Sequence, residues 1–155
     1  MQALDLSSMP EVTKRLENLL QAFPEMRREF YEQAAAIMQE EVQEQVSQSV
    51  NDEKGKVKNW QEKSVGSGGG YARTKAAKTP SGSNGAGAIT NYLNSGHKIR
   101  GLSKSRQKGT KYRPRIRMPY VEGKRFYQRA AVSSEARLIH LMDDFVNELA
   151  KEAFG

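Results

Sequence analysis

Cysteine is missing from this chain altogether. That excludes disulfides, thiolate nucleophiles and thiolate metal ligands, and it suits a reducing compartment. Histidine occurs only twice, as His97 and His140, 43 positions apart. Two separated histidines make no metal-ligand spacing, so no metal and no cofactor is expected. His97 reads as a hydrogen-bonding turn residue and His140 as a half-buried helix residue. Tryptophan occurs once, at Trp60, where a packing anchor is the simplest reading. No run of 18 apolar residues occurs, which excludes a membrane-spanning helix of that kind. The N-terminus lacks a basic start followed by an apolar block, so no signal peptide is expected. Between residues 54 and 129 the only acids are Glu62 and Glu122. Paired carboxylates and histidine–carboxylate spacings are therefore lacking, and the chain is expected to be no enzyme, with no catalytic residue.

What is present is charge, unevenly placed. Residues 1–53 carry 4 Lys/Arg against 11 Asp/Glu, or 4 − 11 = −7. Residues 54–129 carry 19 against 2, or +17, and residues 130–155 carry 2 against 5, or −3, which sums to the +7 of the whole chain. A middle of one sign at this density repels itself and calls for a neutralising partner. Nucleic acid, another protein, or the acidic ends of a neighbouring copy would serve.

The length of 155 residues predicts a single domain over 1–155. Ser8 and Glu11, with Pro10 between them, read as a capping box opening a helix. Val12, Leu16, Leu19, Leu20 and Phe23 then form one stripe of 3.6-residue period. Pro24 predicts a break or kink, followed by a second helix to about residue 50 with Met26, Phe30, Ala34, Ile37, Met38, Val42 and Val46 on its apolar face. The helical part thus covers about 8–50. A turn follows at 51–55, and Val57 and Trp60 read as strand or unwound chain.

The loop-and-sheet part covers about 56–121. Residues 66–70, GSGGG, lack the Lys-Ser/Thr that a phosphate-binding loop needs, so they read as a hinge or bulge. Residues 71–76 alternate loosely as a strand, 78–87 read as a loop, and 88–94 as a short helical turn or strand. Arg113, Arg115 and Arg117 alternate with Pro114, Ile116 and Met118, the period of a strand with arginines on one face. Pro114 and Pro119 confine such a strand to a sheet edge. Gly123 turns the chain into the last helix, about 125–153, whose stripe is Tyr127, Ala131, Ser134, Leu138, Leu141, Met142, Phe145, Leu149 and Ala153. Phe126 and Tyr127 read either as core or as solvent-facing contact rings. The fold class is therefore α+β: a small antiparallel sheet packed by long N-terminal helices and a C-terminal helix, with long basic loops.

Two functions compete for the basic middle. It can neutralise several phosphates, but aromatics do not interleave with the cations as stacking platforms, and no zinc knuckle or helix-turn-helix pattern occurs. Protein assembly fits better, with Lys104, Arg106, Lys108, Lys111, Arg113, Arg115, Arg117, Tyr120, Phe126 and Tyr127 as candidate subunit-interface residues.

At residues 87–100, GAITNYLNSGHKIR, and 113–127, RPRIRMPYVEGKRFY, the chain resembles the small neck and tail-completion proteins of long-tailed, non-contractile bacteriophages. Gly96, His97, Arg100 and Gly123 stand at the turns that carry the likeness, and Trp60-Gln61 and the run at 65–71 add to it. The resemblance implies an α+β fold and a homo-oligomeric ring, hexameric or else dodecameric. It implies a structural place in the virion, after assembly in the host bacterial cytoplasm. The partners it implies are an adjoining head-completion or connector ring and the tail tube protein. Contact with packaged DNA is the alternative, and no membrane is involved.

Overall fold

The structure is a computed structural model that describes residues 9–79, 85–98 and 120–154. It mixes helix and strand. In chain order the elements are α1 (Met9–Ser49), α2 (Lys56–Asn59), β1 (Gln61–Val65), β2 (Ala72–Ala76), α3 (Ala86–Ser95), β3 (Gly96–Lys98), β4 (Tyr120–Glu122) and α4 (Phe126–Phe154). β1 pairs with β2, and β3 pairs antiparallel with β4, giving two separate two-stranded sheets. Among the described residues no helix is long and apolar enough to cross a membrane.

The expected break at Pro24 does not occur: α1 runs unbroken for 41 residues with Pro24 inside it. Proline removes one backbone bond and crowds the preceding turn. Here it sits at an exposed position of a glycine-free helix, flanked by turns whose rings are packed, so the loss stays local. Ser8 lies outside the described residues, and Glu11 occupies the first turn of α1. Val57 and Trp60 belong to neither strand nor unwound chain. Asp52 accepts hydrogen bonds from the backbone N–H groups of Lys56 and Lys58 at 2.9 and 3.0 Å, and this caps the short helix α2, with Trp60 at its C-terminal end. The GSGGG run is the β1–β2 turn, closed by Gly66 N–H to the Tyr71 carbonyl at 3.0 Å and Gly69 N–H to the Gly66 carbonyl at 2.8 Å.

Two compact units divide the chain, with α1 and α4 contributing to both: residues 1–41, 63–74 and 131–155 form one, and 42–62 with 75–130 the other. In the first unit, α1 and α4 lie antiparallel. Glu41 meets Ser133 and Arg137 at one end, and Phe30 and Phe23 meet Phe145 further along, at ring-centroid distances of 4.9 and 6.5 Å. Arg137 donates to Glu40 and Glu41 at 2.7 and 3.0 Å, and these hydrogen bonds push its guanidinium further up. Arg27 donates to the Gly68 carbonyl at 2.7 Å, which ties the β1–β2 turn to α1.

In the second unit the core is Val42, Val46, Val57, Phe126 and Ala130, with Val50, Trp60, Leu93 and Tyr127 packed on it. Val42/Val46 and Phe126/Ala130 are each four apart, so each pair shares one helix face. Phe126 is fully buried, and that burial contributes about 2–3 kcal/mol.

The C-terminal stripe is the expected one, narrowed at two positions. Leu138, Leu141, Phe145 and Leu149 are half-buried and Ser134 and Ala153 buried, but Ala131 and Met142 are exposed. Val132, Ile139 and Val146, seven residues apart, are 73, 53 and 55% exposed. Ile139 follows Leu138 and Val146 follows Phe145 in sequence, so this second apolar face is turned about 100° from the packed one. His140 is exposed, not half-buried.

Candidate functional site

The ends of the most basic stretch meet in the second unit. Gly96, His97 and Lys98 pair with Glu122, Val121 and Tyr120 respectively. The 21 residues between Lys98 and Tyr120 include eight Lys/Arg and no Asp/Glu. Both ends of that stretch are therefore held on one short ladder.

The ladder is anchored by a reciprocal arrangement of helix ends. Helix α3 buries Ala86, Thr90 and Asn94, spaced four apart on one face. At its C-terminus the free carbonyls of Leu93 and Asn94 accept the backbone N–H groups of Lys124 and Arg125 at 2.7 and 2.9 Å. Those two residues immediately precede α4. In return the Asn94 side-chain oxygen accepts the Tyr127 N–H at 3.1 Å. This satisfies an orphan donor of the first turn of α4 as an N-cap side chain would. Arg125, at the point of entry, has φ of 51°, a left-handed conformation uncommon for a residue with a side chain. Gly96, at φ of 80°, and Gly123 face each other across the turn. A Cβ on Gly96 would stand 2.5 Å from the Val121 carbonyl oxygen. Tyr120 adds a hydrogen bond from its hydroxyl to the Ser95 carbonyl at 2.9 Å.

Beneath the ladder lies a buried polar group. Gln61 is 1% exposed. Its amide donates to the Val57 carbonyl at 2.9 Å, and its oxygen accepts the Tyr127 hydroxyl at 2.6 Å. Burial pushes the Tyr127 phenol up to about 12, so it remains a neutral donor at physiological pH. The result is a chain of hydrogen bonds from α2 through β1 to the first turn of α4.

Of the sequence-predicted site residues, Gly96, His97, Gly123 and Tyr120 come together here. Tyr127 is half-buried and serves the polar group. Phe126 cannot serve as a contact ring, because it is fully buried in the core; its alternative reading as core is the one realised. His97 is half-buried with its ring 5.1 Å from that of Tyr92, and its buried Nδ1 has no hydrogen-bond partner among the described residues. Arg100, Lys104, Arg106, Lys108, Lys111, Arg113, Arg115 and Arg117 lie outside the described residues. Gln61 and Asn94 are the positions that charge and periodicity do not single out. Asn94 had a local sign, since an Asn-Ser-Gly run at a helix end favours side-chain capping; Gln61 stood only in the Trp60-Gln61 pair of the resemblance, with no sign of burial.

Among the described residues no group of three or more His, Cys, Asp or Glu could hold a metal ion. Comparison of the chain with family models, curated proteins and solved structures gives no match.

Proposed function

We propose that this protein is a structural component of the virion neck of a long-tailed, non-contractile bacteriophage. It acts without catalysis, as a homo-oligomeric ring that joins head to tail or completes the tail tube. A hexamer is favoured. Its neighbours are the adjoining connector ring and the tail tube protein, and it assembles in the host cytoplasm. The observation that carries this reading is the β3–β4 ladder, where Gly96–Lys98 and Tyr120–Glu122, one from each segment bearing the resemblance, pair antiparallel. A single-sign stretch with both ends held on one ladder suits electrostatic docking onto acidic protein, which steers encounter and fixes register more than it adds affinity. The exposed face of Val132, Ile139 and Val146 also favours assembly, because aligned apolar side chains in water mark contact surfaces. In a ring each copy meets the next through two different surfaces, and the acidic helices and the basic stretch are two such surfaces.

The test is the double variant Arg115→Glu/Arg117→Glu. It is expected to fold as the parent does and to block neck assembly, with the protein lost from purified particles by mass spectrometry. Normal particles carrying that variant would end the reading.

Contact with packaged DNA is the second reading, favoured by eight cations without an acid in 21 residues. Duplex titration across salt separates the two. A steep salt slope at micromolar affinity supports DNA; concentration-dependent oligomers without duplex binding support assembly.

A further inference from the structure

In the first unit, a groove of about 110 Å³ runs between α1 and α4. Its floor is apolar, formed by Phe30, Leu141 and Phe145, and its rim carries Glu29, Asp144 and Glu148. Four other acids of these helices are paired: Glu11 with Arg15, Glu32 with Arg28, and Glu40 and Glu41 with Arg137. The three rim carboxylates have no hydrogen bond or ion pair among the described residues. A carboxylate rim alone marks nothing. Here it frames two phenylalanine rings 4.9 Å apart, and that combination selects one kind of side chain.

Arginine has an aliphatic stem that lies along apolar surface and a planar head that stacks on aromatic faces and forks onto carboxylates. A cavity of roughly 150 Å³ takes a benzene ring, so this groove has room for an arginine stem. Its spacing also fits more than one. Asp144 and Glu148 are one turn apart on α4, about 6 Å along the axis. Side chains at alternate positions of an extended chain are about 6.6 Å apart. The sequence contains one such run, Arg113, Arg115 and Arg117.

We infer that the α1–α4 groove of one copy receives the arginines of residues 113–117 of a neighbouring copy. Their stems lie on Phe30 and Phe145 and their guanidiniums on Glu29, Asp144 and Glu148. The inference rests on the ring reading, and it names the two surfaces that meet. It makes the contact heterologous, because a basic run cannot dock on itself.

A fluorescent peptide of residues 110–120 tests this against the full chain carrying Arg113→Glu/Arg115→Glu/Arg117→Glu, which cannot occupy its own grooves. Saturable binding is expected. Adding Asp144→Lys/Glu148→Lys to the receptor should weaken it about tenfold, the sum of a few partly exposed pairs. Both positions are exposed on a helix, and circular dichroism checks that the receptor stays folded. A peptide with lysine in place of the three arginines, equal in charge, should also bind several-fold more weakly, since lysine neither forks nor stacks. Absence of saturable binding, equal affinity for the two receptors, or equal affinity for the two peptides would each overturn the groove. The ring reading fails separately, by normal particles assembled with Arg115→Glu/Arg117→Glu protein. Intact rings from a groove-reversed chain would sink the groove and leave the ring standing.

Discussion

Gly123 packs its backbone directly on Asn94: a Cβ at position 123 would overlap the Asn94 carbonyl oxygen and the Ser95 carbonyl carbon. Both obstacles are backbone, so neither can swing aside. The close approach is what brings Lys124 and Arg125 within reach of the α3 carbonyls and lets β4 leave beside β3.

Gly123→Ala is therefore expected to lower stability by about 2–3 kcal/mol, the cost of forcing a methyl into packed surroundings. Gly96→Ala adds to its own overlap a penalty of about 1–3 kcal/mol for a backbone conformation, φ 80° and ψ 173°, that essentially only glycine adopts. Urea unfolding checks both. Parent-like midpoints would show that the turn opens without cost.

Asn94→Ala removes the acceptor at the first turn of α4 and should cost about 1 kcal/mol. Asn94→Asp keeps an oxygen there, but it buries a carboxylate at the negative end of α3 as well as the positive end of α4, so it should not exceed the parent in stability. A thermal melt at one pH decides, and an alanine variant as stable as the parent would remove the capping role.

Tyr127 gives the fold a pH dependence of known sign. Its folded value, about 12, lies above the ordinary phenol value of 10.0. The folded state therefore holds the phenol proton more tightly than the unfolded chain does. The stabilisation linked to that proton is complete below pH 10 and is lost as pH climbs from 10 towards 12. Tyr127→Phe should cost about 1–2 kcal/mol at neutral pH, through loss of the donor to buried Gln61. It should also flatten the decline between pH 10 and 12 relative to the parent. Parallel slopes for the two proteins in that window would refute the assignment.

Pro24 interrupts the bonding of a helix that continues on both sides of it. Pro24→Ala is expected to raise stability by about 1–2 kcal/mol. This is less than the full helical penalty of proline, because alanine also frees the unfolded chain. Calorimetry would show the gain as a higher Tm, and a lower Tm would mean that the proline shapes the packing of Phe23 on Phe145.

The sequence by itself determined the elements whose cause is local. The apolar period from Leu138 to Leu149 sets α4, and the apolar stripes on either side of Pro24 set helix over about 8–50, whereas the glycines at 66–70, which read as a hinge or bulge, form a turn. Charge segregation is likewise a property of the chain alone. Only tertiary structure decided that α1 continues through Pro24, since packing on either side outweighs one missing hydrogen bond. It also decided which apolar face of α4 is covered. Leu138 and Ile139 are alike in hydropathy, and only the position of α1 distinguishes them. Gln61 and Asn94 are polar, and composition places such residues outside. Their burial depends on partners 66 and 33 positions away, at Tyr127. The meeting of Glu29 with Asp144 and Glu148 around one groove has the same origin. Helix periodicity places each residue on a face of its own helix, but hydrogen bonding and packing between distant segments choose what that face meets.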